Sequence, residues 1–147
     1  MVCGWHKNKG DAMSESSSPP DLESTFVVVK PDLQSETIAV TDTIFSELDE
    51  RFGGFSGHTL ISSFSFDEDW PTWERHPKGD EVVCLMFGDV EMVLAVDGEE
   101  RSVRMSKPGS FVVVPKNTWH TARVHAPTRM FFVTPGEGTE NSETPDV

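Results

Sequence analysis

The chain has 147 residues, enough for one domain with a real core and short of two comfortable ones. Its 25 acidic side chains against 12 Lys and Arg set the formal charge at −13, which excludes the basic footprint of a nucleic-acid binder and disfavours docking on anionic membranes. Cys3 and Cys84 make no disulfide framework, no run approaches the roughly 18 apolar residues of a membrane span, and the N-terminus lacks an apolar secretory segment, so a soluble cytoplasmic protein is expected.

Residues 1–24 are dense in Ser, Pro and charge and are expected to be disordered; residues 136–147 have the same character and are expected to form an acidic disordered tail. The pair Cys3 and His6 on the first tail mimics two metal ligands by chance. Between the tails, residues 25–135 read as a single domain. Phe26–Lys30 and Thr37–Val40 are short β-rich runs, and Asp42–Phe52 carries Ile44, Phe45, Leu48 and Phe52 at helical spacing. Thr41 or Thr43 can cap that helix, and Gly53-Gly54 can stop it.

Every later segment alternates or runs apolar for a few residues and is then broken by a turn signal. Strands are predicted at 59–66, 72–76, 81–87, 91–96, 100–105, 110–114, 120–124 and 129–134, a spacing that argues for an all-β sandwich or barrel with one short N-terminal helix. Gly88-Asp89 and Asp97-Gly98 read as hairpin turns, and Pro108-Gly109 as a further turn.

Residues two apart in a strand share a face, so Glu74 and His76 point together, away from Trp73 and Arg75. The turn Pro77-Lys78-Gly79-Asp80 then reverses the chain, Glu81 opens the next strand, and His120 enters another after Pro115-Lys116-Asn117-Thr118. Imidazole nitrogen and carboxylate oxygen suit one divalent first-row ion, Zn, Fe, Mn or Ni, and neither cysteine is placed to add sulfur. Three or four protein ligands leave positions open to water or substrate, as reactive sites require.

This spacing resembles the two motifs of the cupin superfamily. The first motif's His-x-His, Glu and Gly correspond to Glu74-x-His76, then four residues to Glu81 and six more to Gly88. The second corresponds to Gly109, five residues to Pro115, then Lys116, Asn117 and, after two residues, His120. Two positions depart from the pattern: Glu74 stands where the first histidine usually is, and Asn117 replaces a glycine whose left-handed backbone Asn also tolerates. Zinc-dependent phosphomannose isomerases likewise resemble cupins with a non-histidine first ligand.

The resemblance covers roughly residues 59–135. It implies a double-stranded β-helix (jelly-roll) barrel with the metal inside at Glu74, His76, Glu81 and His120, and often a homodimer formed by sheet extension. The superfamily spans isomerases, lyases, decarboxylases, dioxygenases, sugar-binding sensors and storage proteins, so fold alone does not choose the reaction. The expectation is a metalloenzyme acting on a small, oxygen-rich organic molecule. A non-catalytic metal or ligand sensor is the alternative, and a storage role ranks last because those proteins usually double the domain. Glu74 has three readings: metal ligand, general base beside the metal, or partner of an arginine such as Arg123. Val83, Leu85 and Phe87 should share the inward wall with Glu81, while Val82, Cys84 and Met86 face outward; Trp70, Trp73 and Trp119 read as outer packing residues.

Overall fold

Strand-forming residues concentrate in short runs separated by glycine, proline and acidic turns, and several of them, such as Thr25–Val29 and Phe111–Val114, alternate one buried face with one open face. The computed structural model describes residues 18–145, so the reading of residues 1–17, with Cys3 and His6, lies outside the described residues. Residues 22–24 form a turn instead of continuing a disordered tail, because the Asp21 carboxylate accepts the backbone N–H groups of Glu23 (2.9 Å) and Ser24 (3.1 Å).

The elements in chain order are β1 (Thr25–Val29), β2 (Ser35–Ala39), α1 (Ile44–Arg51), β3 (Thr59–Phe66), β4 (Trp73–Arg75), β5 (Glu81–Val96), β6 (Glu99–Met105), β7 (Phe111–Val114), β8 (His120–Thr134) and β9 (Glu140–Ser142). All strand pairs are antiparallel. Among the described residues the fold is all-β with a single short helix, and no helix is long and apolar enough to cross a membrane.

Two long strands organise the rest. β5 and β8 pair along almost their whole length, from Val82↔Val133 to Leu94↔His120, through register shifts between Leu85 and Val90. The first half of β5 also pairs with β7 and the second half with β6, while β8 pairs with β3 at its end and touches β4 at its start. Two layers result: β2-β1-β3-β8-β5-β7, and β9-β4-β8-β5-β6. Their inner faces meet in one core in which Val83, Leu85, Met130 and Phe132 pack with Val90, Met92, Met105 and Ala122. A second cluster joins α1 to the barrel through Phe26, Val28, Ile44, Leu48, Phe52 and Leu60, and Phe64 packs against both clusters.

Four expectations are corrected. Gly88-Asp89 does not end a strand: Gly88 takes φ 110° within β5, where an added Cβ would lie 2.3 Å from Thr128 Oγ1, and the backbone N–H of Asp89 donates to that oxygen at 3.1 Å. The site is a bulge that fuses two expected strands into one and bends them between layers. Because of these shifts Phe87 does not join Val83 and Leu85 inside but is 52% exposed. Residues 140–142 are a strand and not part of a disordered tail; β9 adds to β4 through backbone pairing and an Arg75–Glu140 ion pair, neither of which depends on apolar content. Neither threonine caps α1 by its side chain; the hydroxyls of Thr41 and Thr43 both face the Glu47 carboxylate. The Asp97-Gly98 turn is as expected, with φ 54° and 76° between β5 and β6.

Candidate metal centre

Glu74 lies at the middle of β4, in register with His120 at the start of β8 and Asn141 of β9. Its neighbours point the other way: the Arg75 guanidinium sits over the Trp119 ring at 4.6 Å, an outward pairing that fits the expectation for Trp119. His76 follows β4 immediately, and Glu81 opens β5 after the turn. The two turns that deliver the histidines are fastened to each other. Asn117, at φ 59°, donates its N–H to the His76 carbonyl at 2.8 Å, and the Lys116 N–H donates to Asp80 Oδ1 at 2.7 Å. The left-handed Asn117 therefore supplies the geometry that a glycine usually provides.

The four side chains converge. One ligand atom from each of Glu74, His76, Glu81 and His120 lies within 4.8 Å of all the others. Nε2 of His76 stands 3.0 Å from Glu81 Oε2, Nε2 of His120 stands 3.2 Å from Glu81 Oε1, and both nitrogens are 3.6 Å from Glu74 Oε1. Two atoms bound to one ion at about 2.1 Å can be at most about 4.2 Å apart, so these separations suit a shared ion. His76, Glu81 and His120 are buried, while Glu74 keeps 26% of its side chain exposed.

The second ring nitrogens decide what the first ones offer. His120 Nδ1 is 3.0 Å from the Thr118 carbonyl, which can only accept, so this nitrogen carries the proton. His76 Nδ1 is 2.9 Å from Thr139 Oγ1, whose own proton goes to the Gly136 carbonyl at 3.0 Å, so Thr139 accepts and His76 Nδ1 donates. Both neutral rings then turn an Nε2 lone pair toward carboxylate oxygens. Glu81 is held by the Thr134 hydroxyl, which donates to Oε2 at 2.6 Å. Within this cluster, Nε2 of His76, Nε2 of His120 and Oε1 of Glu81 remain buried without a hydrogen-bond partner.

Lone pairs and negative charge pointed at one space from buried atoms call for positive charge there. Without a metal ion, protons answer that call. Burial opposes ionisation of both histidines, yet Glu74 and Glu81 override it and raise His76 to about 9 and His120 to about 10. Burial likewise opposes ionised Glu74, but the two imidazoles lower it to about 2, and they lower Glu81 in the same way. Two carboxylates facing two imidazoles thus form a place for about two units of positive charge, and the N/O donor set fits a divalent first-row ion.

A cavity of about 720 Å³ opens from Glu74, His76 and Glu81 toward α1. Trp70 lines it, 6.3 Å from the His120 ring, and its Nε1–H is buried without a partner, so Trp70 is not the outer packing residue expected. Its backbone N–H donates to the Ala122 carbonyl and turns the ring inward beside β8. Arg123 pairs with Glu100 at 3.0 Å and leaves Glu74 to the histidines. Thr134, Thr139 and the Thr118 carbonyl were not anticipated as supports.

No known family pattern matches the chain, and no curated protein sequence matches it. Solved structures do resemble it. A hydroquinone 1,2-dioxygenase from Sphingomonas, solved with 4-hydroxybenzoate bound, is 19% identical over 52% of this chain and 58% of its own, with a TM-score of 0.44. An oxalate decarboxylase variant from Bacillus subtilis is 16% identical over 57% of this chain but only 23% of its own, with a TM-score of 0.47. A protein from Shewanella frigidimarina is 18% identical over 52% of this chain and 70% of its own, with a TM-score of 0.45, and it is described as containing a cupin-2 domain.

Proposed function

We propose that this chain is a metal-binding, cupin-like protein that holds one divalent first-row ion at His76, Glu81, His120 and Glu74 and acts on a small, oxygen-rich organic molecule. The observation that carries the reading is the convergence of two Nε2 lone pairs and Glu81 Oε1, all buried and without hydrogen-bond partners. A bound ion supplies Lewis acidity toward a carbonyl, carboxylate or hydroxyl oxygen. The chain's own groups do the rest. Thr139 and the Thr118 carbonyl fix the two rings, and Thr134 holds Glu81.

Glu74 is the one carboxylate of the four-residue cluster that is both partly exposed and at the cavity, so when it is not coordinated it is the group placed to move a proton to or from a bound molecule. The assembly we propose is a homodimer. Supporting it, the outer face of one layer carries a row Val27, Ile61, Val133, Val82 and Val113 across five strands, with Phe131, Cys84 and Phe111 beside it. Phe111 is 64% exposed and Val113 46%.

Elemental analysis of tag-free protein after reconstitution tests the metal reading. About one equivalent in the wild type, and under about 0.2 in His120→Ala, is the expected result. A wild type holding less than about 0.2 equivalents of zinc, iron, manganese or nickel defeats it.

A further inference from the structure

On the metal reading above, we infer that the cavity selects a ligand bearing an aromatic ring next to its metal-directed oxygens, and rejects phosphorylated or polyanionic molecules of similar size. Two features of the wall lead there. The first is a run of aromatic side chains ending beside the metal centre: Phe45, Phe64, Phe66, Trp70 and Phe132 all line the cavity. Their rings contact one another in sequence, Phe45 to Phe64 at 6.3 Å, Phe64 to Phe66 at 6.4 Å, and Phe66 to Trp70 at 5.3 Å.

Most of these rings also serve the core, but Phe45 does not. It is 62% exposed on α1, at the cavity, and lies nearly parallel to Phe64 with 22° between the planes. An exposed phenyl stacked over a cavity offers a face to an occupant and little to the fold.

The second feature is charge. Among the described residues no Lys or Arg lines the cavity, whereas Asp49, Glu68 and Asp69 do, besides Glu74 and Glu81. Glu74 and Glu81 already balance a divalent ion, so the remaining acids leave the cavity net negative. Phosphate and multiple carboxylates are normally met by Arg, Lys or convergent N–H donors, and the wall provides no such cation. A ligand that is neutral, cationic or carries a single charge on its chelating oxygens meets no such penalty, and a flat ring recovers the aromatic contact.

Matched probes separate the contributions. Zinc-reconstituted protein is titrated calorimetrically with benzohydroxamic acid, acetohydroxamic acid and fructose 6-phosphate. The two hydroxamates present the same chelating oxygens, and only one carries a ring. Benzohydroxamic acid is expected to bind about tenfold or more tightly than acetohydroxamic acid, with fructose 6-phosphate weakest. Trp70→Leu, which removes the ring 6.3 Å from that of His120, should narrow the gap by several-fold.

Equal affinity for the two hydroxamates, failure of both to bind, or tightest binding of the phosphosugar overturns the inference. Zinc content is measured on the same samples. Protein that takes up no zinc defeats the metal reading and this one with it; protein that holds zinc without preferring the ring defeats this one alone.

Discussion

Thr139 decides which nitrogen His76 offers, since its hydroxyl is spent on the Gly136 carbonyl and can only accept from the ring. Removing that acceptor in Thr139→Val frees the ring to rotate and to change tautomer. Zinc affinity should fall by about 10- to 100-fold, read by competition with a chromogenic chelator, and Thr139→Ser should restore most of it. The ionisation of the cluster has its own signature. With His76 raised to about 9 and His120 to about 10, the metal-free protein gains stability that is full below the ordinary histidine value of 6.5 and is lost as pH rises through 9 to 10. The lowered Glu74 and Glu81 contribute above the ordinary 4.5, and the Glu74 share is lost as pH falls through about 2. Calorimetry should therefore find metal-free protein most heat-stable between about pH 4.5 and 6.5 and progressively weaker toward pH 10, while the stabilisation by added zinc grows with pH because fewer protons must leave. The four converging residues were legible because strand alternation places Glu74 with His76 and turn residues mark where Glu81 and His120 begin. Their supports were not: Thr134 and Thr139 reach Glu81 and His76, 53 and 63 residues away in the chain, and such contacts leave no local period.

Among the elements, the β5–β8 pair bends where Gly88 meets Thr128. A Cβ there would approach Thr128 Cα to 2.5 Å and the Pro127 carbonyl to 2.6 Å, both backbone atoms that cannot swing aside. Gly88→Ala should cost about 2 to 4 kcal/mol in urea unfolding, more than a surface glycine change, because it combines a left-handed backbone with overpacking. The existence and type of most elements could be read from apolar alternation and turn residues. The continuity of β5 and β8 could not, since a glycine followed by Asp has the same local chemistry in a hairpin as in a bulge. β9 escaped notice for a different reason: Glu140, Asn141 and Ser142 are polar throughout and owe their place to backbone pairing with β4.

For the whole molecule, one layer hides its inner face in the core and leaves valines and phenylalanines on its outer face. Phe111→Asp, at a position 64% exposed and away from the metal centre, should leave the monomer folded and shift the protein from dimer to monomer in light scattering, weakening association by at least about 100-fold. A wild type that is monomeric at micromolar concentration removes the homodimer proposal. The order of strands in space also separates the pieces of the centre in time. Glu74, His76 and Glu81 emerge from the ribosome well before His120, Thr134 and Thr139, and β3 waits for β8 before its second edge is paired. A nascent chain that ends short of residue 120 therefore carries Glu74, His76 and Glu81 without His120 and leaves β3 and β5 without β8, so the cluster is complete only once β8 has been made.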